Sequence, residues 1–279
     1  MDPKELIRAG KLSEARQHLI NSVKSSPGDS GLRVLLFQVL SLMGDWEKAE
    51  RHIDILAAQD VKAEAGVLSY RNLLHAERIR QEVNNLERRP DFLPKSPPYV
   101  EKFFLALEQI RQSDLKTAEA SFDQLEADRP RVSGTVNGKP FVDIRETDSY
   151  LLFFVEAFVH ERYVWIPFES IREMVLQAPE SLFDLIWTPA HITAWDGLTL
   201  NCFLPVVYPD SAFADDDRIK MGRMTDWHPL GAAFFRGLGQ HVYLFGEEEM
   251  PLLEIRELRM NRPDTATSAD TEEDAKTDD

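Results

Sequence analysis

His191, Asp196 and Cys202 cluster around Gly197 and supply the residue types of a covalent hydrolase: an imidazole base, an orienting carboxylate and a thiol nucleophile. If Ile192 and Leu198 lie on opposing strands, the three side chains approach one another. Cys202 has no flanking nucleophile signature, however, and lies in an apolar stretch where a thiol is ordinarily an inert core residue. A hydrolase-like enzyme that uses these three residues, with another part of the chain recruiting substrate, therefore stands as the alternative reading.

Other motifs with chemical potential are weaker. The seven histidines are scattered, with none at metal-ligand spacing from another ligand, and His160-Glu161 continues as Arg162-Tyr163-Val164 rather than as a zinc helix. Asp215-Asp216-Asp217 lacks the alternation and central glycine of a calcium loop and reads as a solvated turn. Gly237-Leu-Gly-Gln240 is too short for a dinucleotide loop. No catalytic residue, metal or cofactor is expected. Four of the five tryptophans, Trp165, Trp187, Trp195 and Trp227, fall in the second half, and aromatic residues with polar handles serve recognition surfaces as well as cores.

The elements that would hold such residues announce themselves by period. Gly10 and Gly44 are 34 positions apart, and the same offset carries Leu12 onto Trp46 and Ala15 onto Ala49. That spacing belongs to stacked tetratricopeptide-like helical hairpins, which hold other polypeptides on a concave face. A third copy, Ser113 to Ala118, follows 69 positions after the second, or about two such periods. In each copy the alanine marks a close helix crossing, and Leu19, Ile53 or Phe122 fills the groove one turn on. Pro27 and Pro130 stop their helices, and only Asp2 to Ala9 precedes the first copy, which reads as a cap. Lys62 to Arg89 has helical spacing and takes the place of the missing repeat. Arg89-Pro90 ends it, and Pro94, Pro97 and Pro98 extend the connection before Tyr99 to Gln112 resumes the helical period.

After Pro130 the period changes. Asn137-Gly138 between apolar flanks predicts a tight hairpin, because both turn residues must accept positive φ. Leu151 to Val159, Tyr163 to Ile166, Leu198 to Leu204 and His241 to Phe245 read as strands, although the first is also compatible with a buried helix. Phe168 to Gln177, with Ile171, Met174 and Val175 at helical spacing, predicts the clearest helix of this half. The fold class expected is α + β in two domains: a tetratricopeptide-like helical domain over 1–131, an α+β domain with a mostly antiparallel sheet over 132–260, and a disordered acidic tail over 261–279. That tail carries seven acidic and two basic side chains and almost no apolar residues.

Composition narrows the partners. The chain has 279 residues, 43% hydrophobic, with 48 acidic against 32 basic side chains and a formal charge of −16, so its mean field repels nucleic acid and anionic lipid. A single cysteine cannot form an internal disulfide, residues 1–10 carry no secretory core, and no apolar run reaches the roughly 18 residues of a membrane span. A cytoplasmic protein with no membrane insertion is expected.

Six segments in the second half, Asn137-Gly-Lys-Pro-Phe141, Tyr163-Val-Trp-Ile-Pro-Phe-Glu169, Asp184-Leu-Ile-Trp-Thr-Pro-Ala190, Leu204-Pro-Val-Val-Tyr208, Gly222-Arg-Met-Thr-Asp-Trp227 and Gly237-Leu-Gly-Gln240, follow the helical repeats in order. In this order they resemble the TagJ, ImpE or SciE family of bacterial type VI secretion accessory proteins, over about residues 1–260. Where that family commonly has arginine after Gly-Gln, this sequence has His241. The resemblance implies a non-catalytic adaptor that engages the N-terminal helix of the small sheath subunit, TssB, and through it ClpV, the AAA+ ATPase that disassembles contracted sheaths. It transfers no catalytic residues. A helix-binding groove needs an apolar floor. By spacing, Phe37, Leu40, Tyr70, Leu74, Phe103 and Phe104 are candidate floor residues in the repeats, and Trp165, Trp187 and Trp227 are candidate anchors on the sheet or in a cleft. A scaffold for an unrelated complex is a third reading.

Overall fold

The computed structural model describes residues 2–59 and 64–262. The acidic segment beyond Arg262 lies outside the described residues. The chain opens with α1 (Pro3–Arg8), α2 (Leu12–Ser25), α3 (Ser30–Leu42), α4 (Trp46–Gln59) and α5 (Glu64–Asn84). After the two-residue strand β1 (Asp91–Phe92), α6 (Val100–Arg111) and α7 (Leu115–Asp128) complete the helical part.

The repeat period has a local cause. Gly10, Gly44 and Ser113 all adopt positive φ, at 76°, 69° and 64°. Each ends its helix in the same six-residue backbone closure: Lys11 N donates to Leu6 O, Asp45 N to Leu40 O and Asp114 N to Gln109 O, at 2.9, 3.0 and 2.9 Å. The left-handed residue turns the chain so that the next helix packs back antiparallel. The alanines five positions on, Ala15, Ala49 and Ala118, are wholly buried at the crossings, as are Leu19 and Ile53.

The remainder is β-rich. Strands β2 (Ser133–Val136), β3 (Lys139–Val142), β4 (Ile144–Glu146), β5 (Phe154–Val159), β6 (Arg162–Pro167), β7 (Ile171–Leu176), β8 (Trp187–Ala194) and β9 (Thr199–Pro205) are followed by the short helix α8 (Asp217–Lys220). Then come β10 (Asp226–Pro229), β11 (Phe235–Leu238), β12 (Val242–Phe245), β13 (Glu248–Pro251) and β14 (Glu257–Met260). Nine strands form one sheet in the order β1-β6-β5-β9-β8-β7-β14-β2-β3, in which β1 is parallel to β6 and the other described pairs are antiparallel. A second sheet, β13-β12-β4, covers part of its far face, and β10-β11 form a separate ladder. The β2–β3 turn is the expected one, with Asn137 and Gly138 at φ 50° and 80°. The Asn137 carboxamide oxygen also accepts from Arg256 N and Glu257 N, which ties the hairpin to β14.

Residues 168–177 are not a helix. A single 3-10 turn, Phe168–Ser170, leads into β7, which pairs with both β8 and β14. A register shift between Ile171 and Glu173 lets Ile171 and Met174 both point inward, and that inserted residue imitates the i, i+3 spacing of a helix. Val175 points outward instead.

All six residues of β5 are buried because the sheet lies between two cores. Phe154 and Phe158 join Tyr163 and Trp165 of β6 in the core shared with the helices. Val155, Ala157, Val164 and Ile166 face the other core, shared with Tyr243, Phe245 and Met250 of the small sheet. The first core is continuous across the change of period near residue 131: it contains Phe37, Leu74 and Phe103 as well as Phe153 and Trp187. Among the described residues no helix is long and apolar enough to cross a membrane.

Candidate partner-binding site

The floor residues expected from helical spacing do lie together, on the inner face of the repeats, and the chain's own sheet covers them. Phe37, Leu40, Leu74, Phe103 and Phe104 are buried, as are Trp165 and Trp187, while Tyr70 is half-buried. Phe37 packs between Tyr70 and Trp187, with ring centroids 4.9 and 6.4 Å away. Phe104 stacks on Trp165 at 5.5 Å and 11°, and Phe103 meets Phe154 edge-on at 5.2 Å. Trp227 stands apart on β10, half-buried, its indole N–H donating to Thr147 Oγ1 at 3.1 Å. In a free tetratricopeptide-like array this inner face would be the concave surface open to a ligand. Here it is spent on intramolecular packing.

Charged side chains rivet the same junction. Arg80 of α5, 2% exposed, reaches into the sheet and grips Glu156 of β5 through Nε at 2.8 Å and Nη2 at 2.5 Å, and donates to Val207 O at 2.6 Å. His241 Nε2 lies 2.7 Å from the same carboxylate, and its Nδ1 lies 3.4 Å from Glu146 of β4. Tyr163 donates to Glu156 at 2.5 Å, Trp165 to Tyr163 at 2.7 Å, and Tyr208 to Glu146 at 2.6 Å. Trp187 donates to Glu77 of α5 at 2.8 Å, and Arg236 pairs with Asp148 at 3.0 Å.

Burial alone would raise the Glu156 carboxyl, but Arg80 and His241 hold it well below the usual carboxylate range. Burial alone would lower His241, yet hydrogen bonds and charge from Glu146 and Glu156 hold its imidazolium up to about 9. Desolvation lifts Glu77 and Glu146 above their ordinary range. The composition resembles an acid–base site, but every one of these polar groups is partnered within the protein, as a structural network requires. Sequence reasoning missed this cluster. Its signal was Glu156, the carboxylate that interrupts an apolar run, and Arg80, at a core-facing position between Ala76 and Val83.

The hydrolase trio does not assemble. Cys202 faces the core from β9, opposite Ala190, and desolvation pushes its thiol up to about 12. His191 is one register position away and points to the other face, where Nδ1 meets Asn201 Oδ1 at 2.9 Å. Asp196 accepts from Leu198 N at 3.0 Å and holds the turn between β8 and β9. The Gly237-Leu-Gly-Gln240 motif serves packing: a Cβ on Gly237 would fall 2.3 Å from the Tyr208 ring, and Gly239, at φ 94°, would place one 1.9 Å from Met224 O. Asp216 and Asp217 cap helices instead of holding an ion, Asp216 accepting from Arg218 N and Asp217 from Ser13 N at 2.8 Å each.

Outside the sealed junction, a groove of about 540 Å³ opens where α1 and α3 meet the β7–β8 connection and the segment after α8, lined by Ile7, Leu35, Leu182, Leu185 and the cations Lys4, Arg8 and Arg223 among others.

Comparisons place this architecture. Residues 138–259 match the model of the ImpE protein family, and residues 6–67 match a tetratricopeptide repeat. The chain is 30% identical over 258 residues to the type VI secretion system accessory component TagJ of Pseudomonas aeruginosa, an alignment that covers 92% of this chain and 90% of that protein. The chain belongs to this TagJ/ImpE family of type VI secretion accessory proteins. The X-ray crystal structure of protein VPA1032 from Vibrio parahaemolyticus shares the fold, with a TM-score of 0.82 at 23% identity, covering 93% of this chain and 97% of that one.

Proposed function

We propose that this chain is a non-catalytic adaptor of a type VI secretion system, one that binds the N-terminal helix of the small sheath subunit and links the sheath to a ClpV-type AAA+ ATPase. The observation that carries the reading is the end-to-end similarity to a type VI accessory component in a chain whose first half is a tetratricopeptide-like scaffold. Its work would be done in the cytoplasm, without cofactor, nucleic acid or membrane insertion. The change of period near residue 131 would separate a helical unit from a sheet unit that act together as one rigid body. Phe37, Leu40, Leu74, Phe103, Phe104, Trp165 and Trp187 are buried in the chain's own packing, and Tyr70 and Trp227 are half-buried, so the partner surface would lie outside these residues.

The experiment is a titration of the full chain with a peptide copying the sheath subunit's N-terminal helix, followed by isothermal calorimetry. Saturable binding supports the adaptor reading. A folded chain that shows no saturable binding rejects it.

A further inference from the structure

The groove beside α1 differs from the rest of the surface in charge. The chain is strongly acidic at −16, yet Lys4, Arg8 and Arg223 converge on this groove against one lining carboxylate, Glu180. Among the described residues none of the three cations has a carboxylate partner. Arg223 donates instead to the carbonyls of Arg8 and Ile7, at 2.8 and 3.0 Å, which fixes its guanidinium at the end of α1 without neutralising it. Unpaired cations that frame an apolar floor attract an anionic ligand with an apolar face.

The walls are rigid and come from both halves of the chain. Ile7 is buried beneath α1, and Leu35 of α3 adds to the floor. The opposite wall, Pro179 to Leu185, is held by Asp184, whose carboxylate accepts from Glu180 N and Ser181 N at 2.9 Å each. Phe183 pins that wall to the repeats by packing on Tyr70 and Trp187, at 5.4 and 5.5 Å. Among the described residues no strand edge lines the groove; the large sheet ends at β1 and β3, elsewhere. A bound segment therefore cannot add a strand and must seat side chains, which is the helix-in-groove mode.

We infer that this groove is a docking site for an amphipathic helix that inserts leucine-sized side chains over Ile7, Leu35, Leu182 and Leu185 and turns flanking carboxylates toward Lys4, Arg8 and Arg223. The inference rests on the adaptor reading for the identity of the helix, and adds where it sits and what chemistry it carries.

The test compares the wild-type chain with the Lys4→Glu/Arg8→Glu double variant, using a fluorescent peptide copy of the sheath subunit's N-terminal helix at low and moderate salt. The account expects the wild-type affinity to fall with salt and the double variant to bind about tenfold more weakly. A peptide with its carboxylates exchanged for lysine should prefer the double variant to the wild type. Leu182→Ala, at a half-buried position of the opposite wall, should also weaken binding while circular dichroism stays unchanged. If the peptide binds both chains equally, the groove is not the site and the adaptor reading survives. If it binds neither, both fall.

Discussion

Two regions of this molecule hold clustered charge, and they are built in opposite ways. At the junction of α5 with the large sheet, Arg80, Glu156, His241 and Glu146 are at most 3% exposed and satisfied by one another. At the α1 groove, Lys4, Arg8 and Arg223 are exposed and no described carboxylate answers them. The first arrangement costs desolvation and returns a fixed geometry between the two halves. The second leaves its attraction for a ligand. Clustered titratable groups mark a site only when part of their bonding capacity is left over.

The contrast breaks most decisively at the junction. Trp187→Ala would open a cavity between the halves and strip Glu77 of its indole partner, so a loss of about 3–5 kcal/mol is expected in urea unfolding. Arg80→Met should cost a similar amount, about 3–5 kcal/mol, because Glu156 stays buried without its guanidinium. If either variant keeps wild-type stability, the junction is not what holds the halves together.

His241 sharpens the comparison through pH. Its folded value of about 9 lies above the ordinary 6.5, so between these values the folded chain binds more protons than the unfolded one. The contribution is complete below about pH 6.5 and is lost as pH rises through about 9, on the order of 3 kcal/mol. Urea midpoints from pH 6 to 10 should therefore fall more steeply for the wild type than for His241→Gln. Parallel profiles would mean that the imidazole is neutral in the fold.

Gly237→Ala presses a methyl group into the Tyr208 ring and should cost about 1–3 kcal/mol of stability. At the other extreme, Lys4→Glu and Arg8→Glu change exposed side chains that have no ion pair among the described residues and should each change stability by no more than about 0.5 kcal/mol. A large loss from either would show that the groove cations serve the fold.

Much of the fold was legible because it is written locally. The left-handed turn residue at Gly10, Gly44 and Ser113 and the small residue at Ala15, Ala49 and Ala118 recur at fixed offsets, and the Asn137-Gly138 turn permits few alternatives. The β7 strand was illegible because a bulge shifts its inward residues from period two to three, so the same letters spell a helix. The aromatic residues at helical spacing were read as a floor for a partner, but helical period does not say what covers them, and Phe37, Phe103 and Phe104 are buried within the chain. Their cover, β5, β6 and β8, comes from beyond residue 150, and long-range pairing leaves no mark in a local window. Glu156 and Arg80 are 76 positions apart for the same reason. The groove escaped notice because Lys4, Leu35, Leu182 and Arg223 converge only in three dimensions.

Hydrogen exchange of the full chain, with and without the sheath-helix peptide, tests the central claim most directly. The account predicts new protection in α1, α3 and residues 179–185, with β5, β6, β8 and α5 unchanged beneath. Protection confined to the junction strands, or their opening to solvent as the peptide binds, would contradict it.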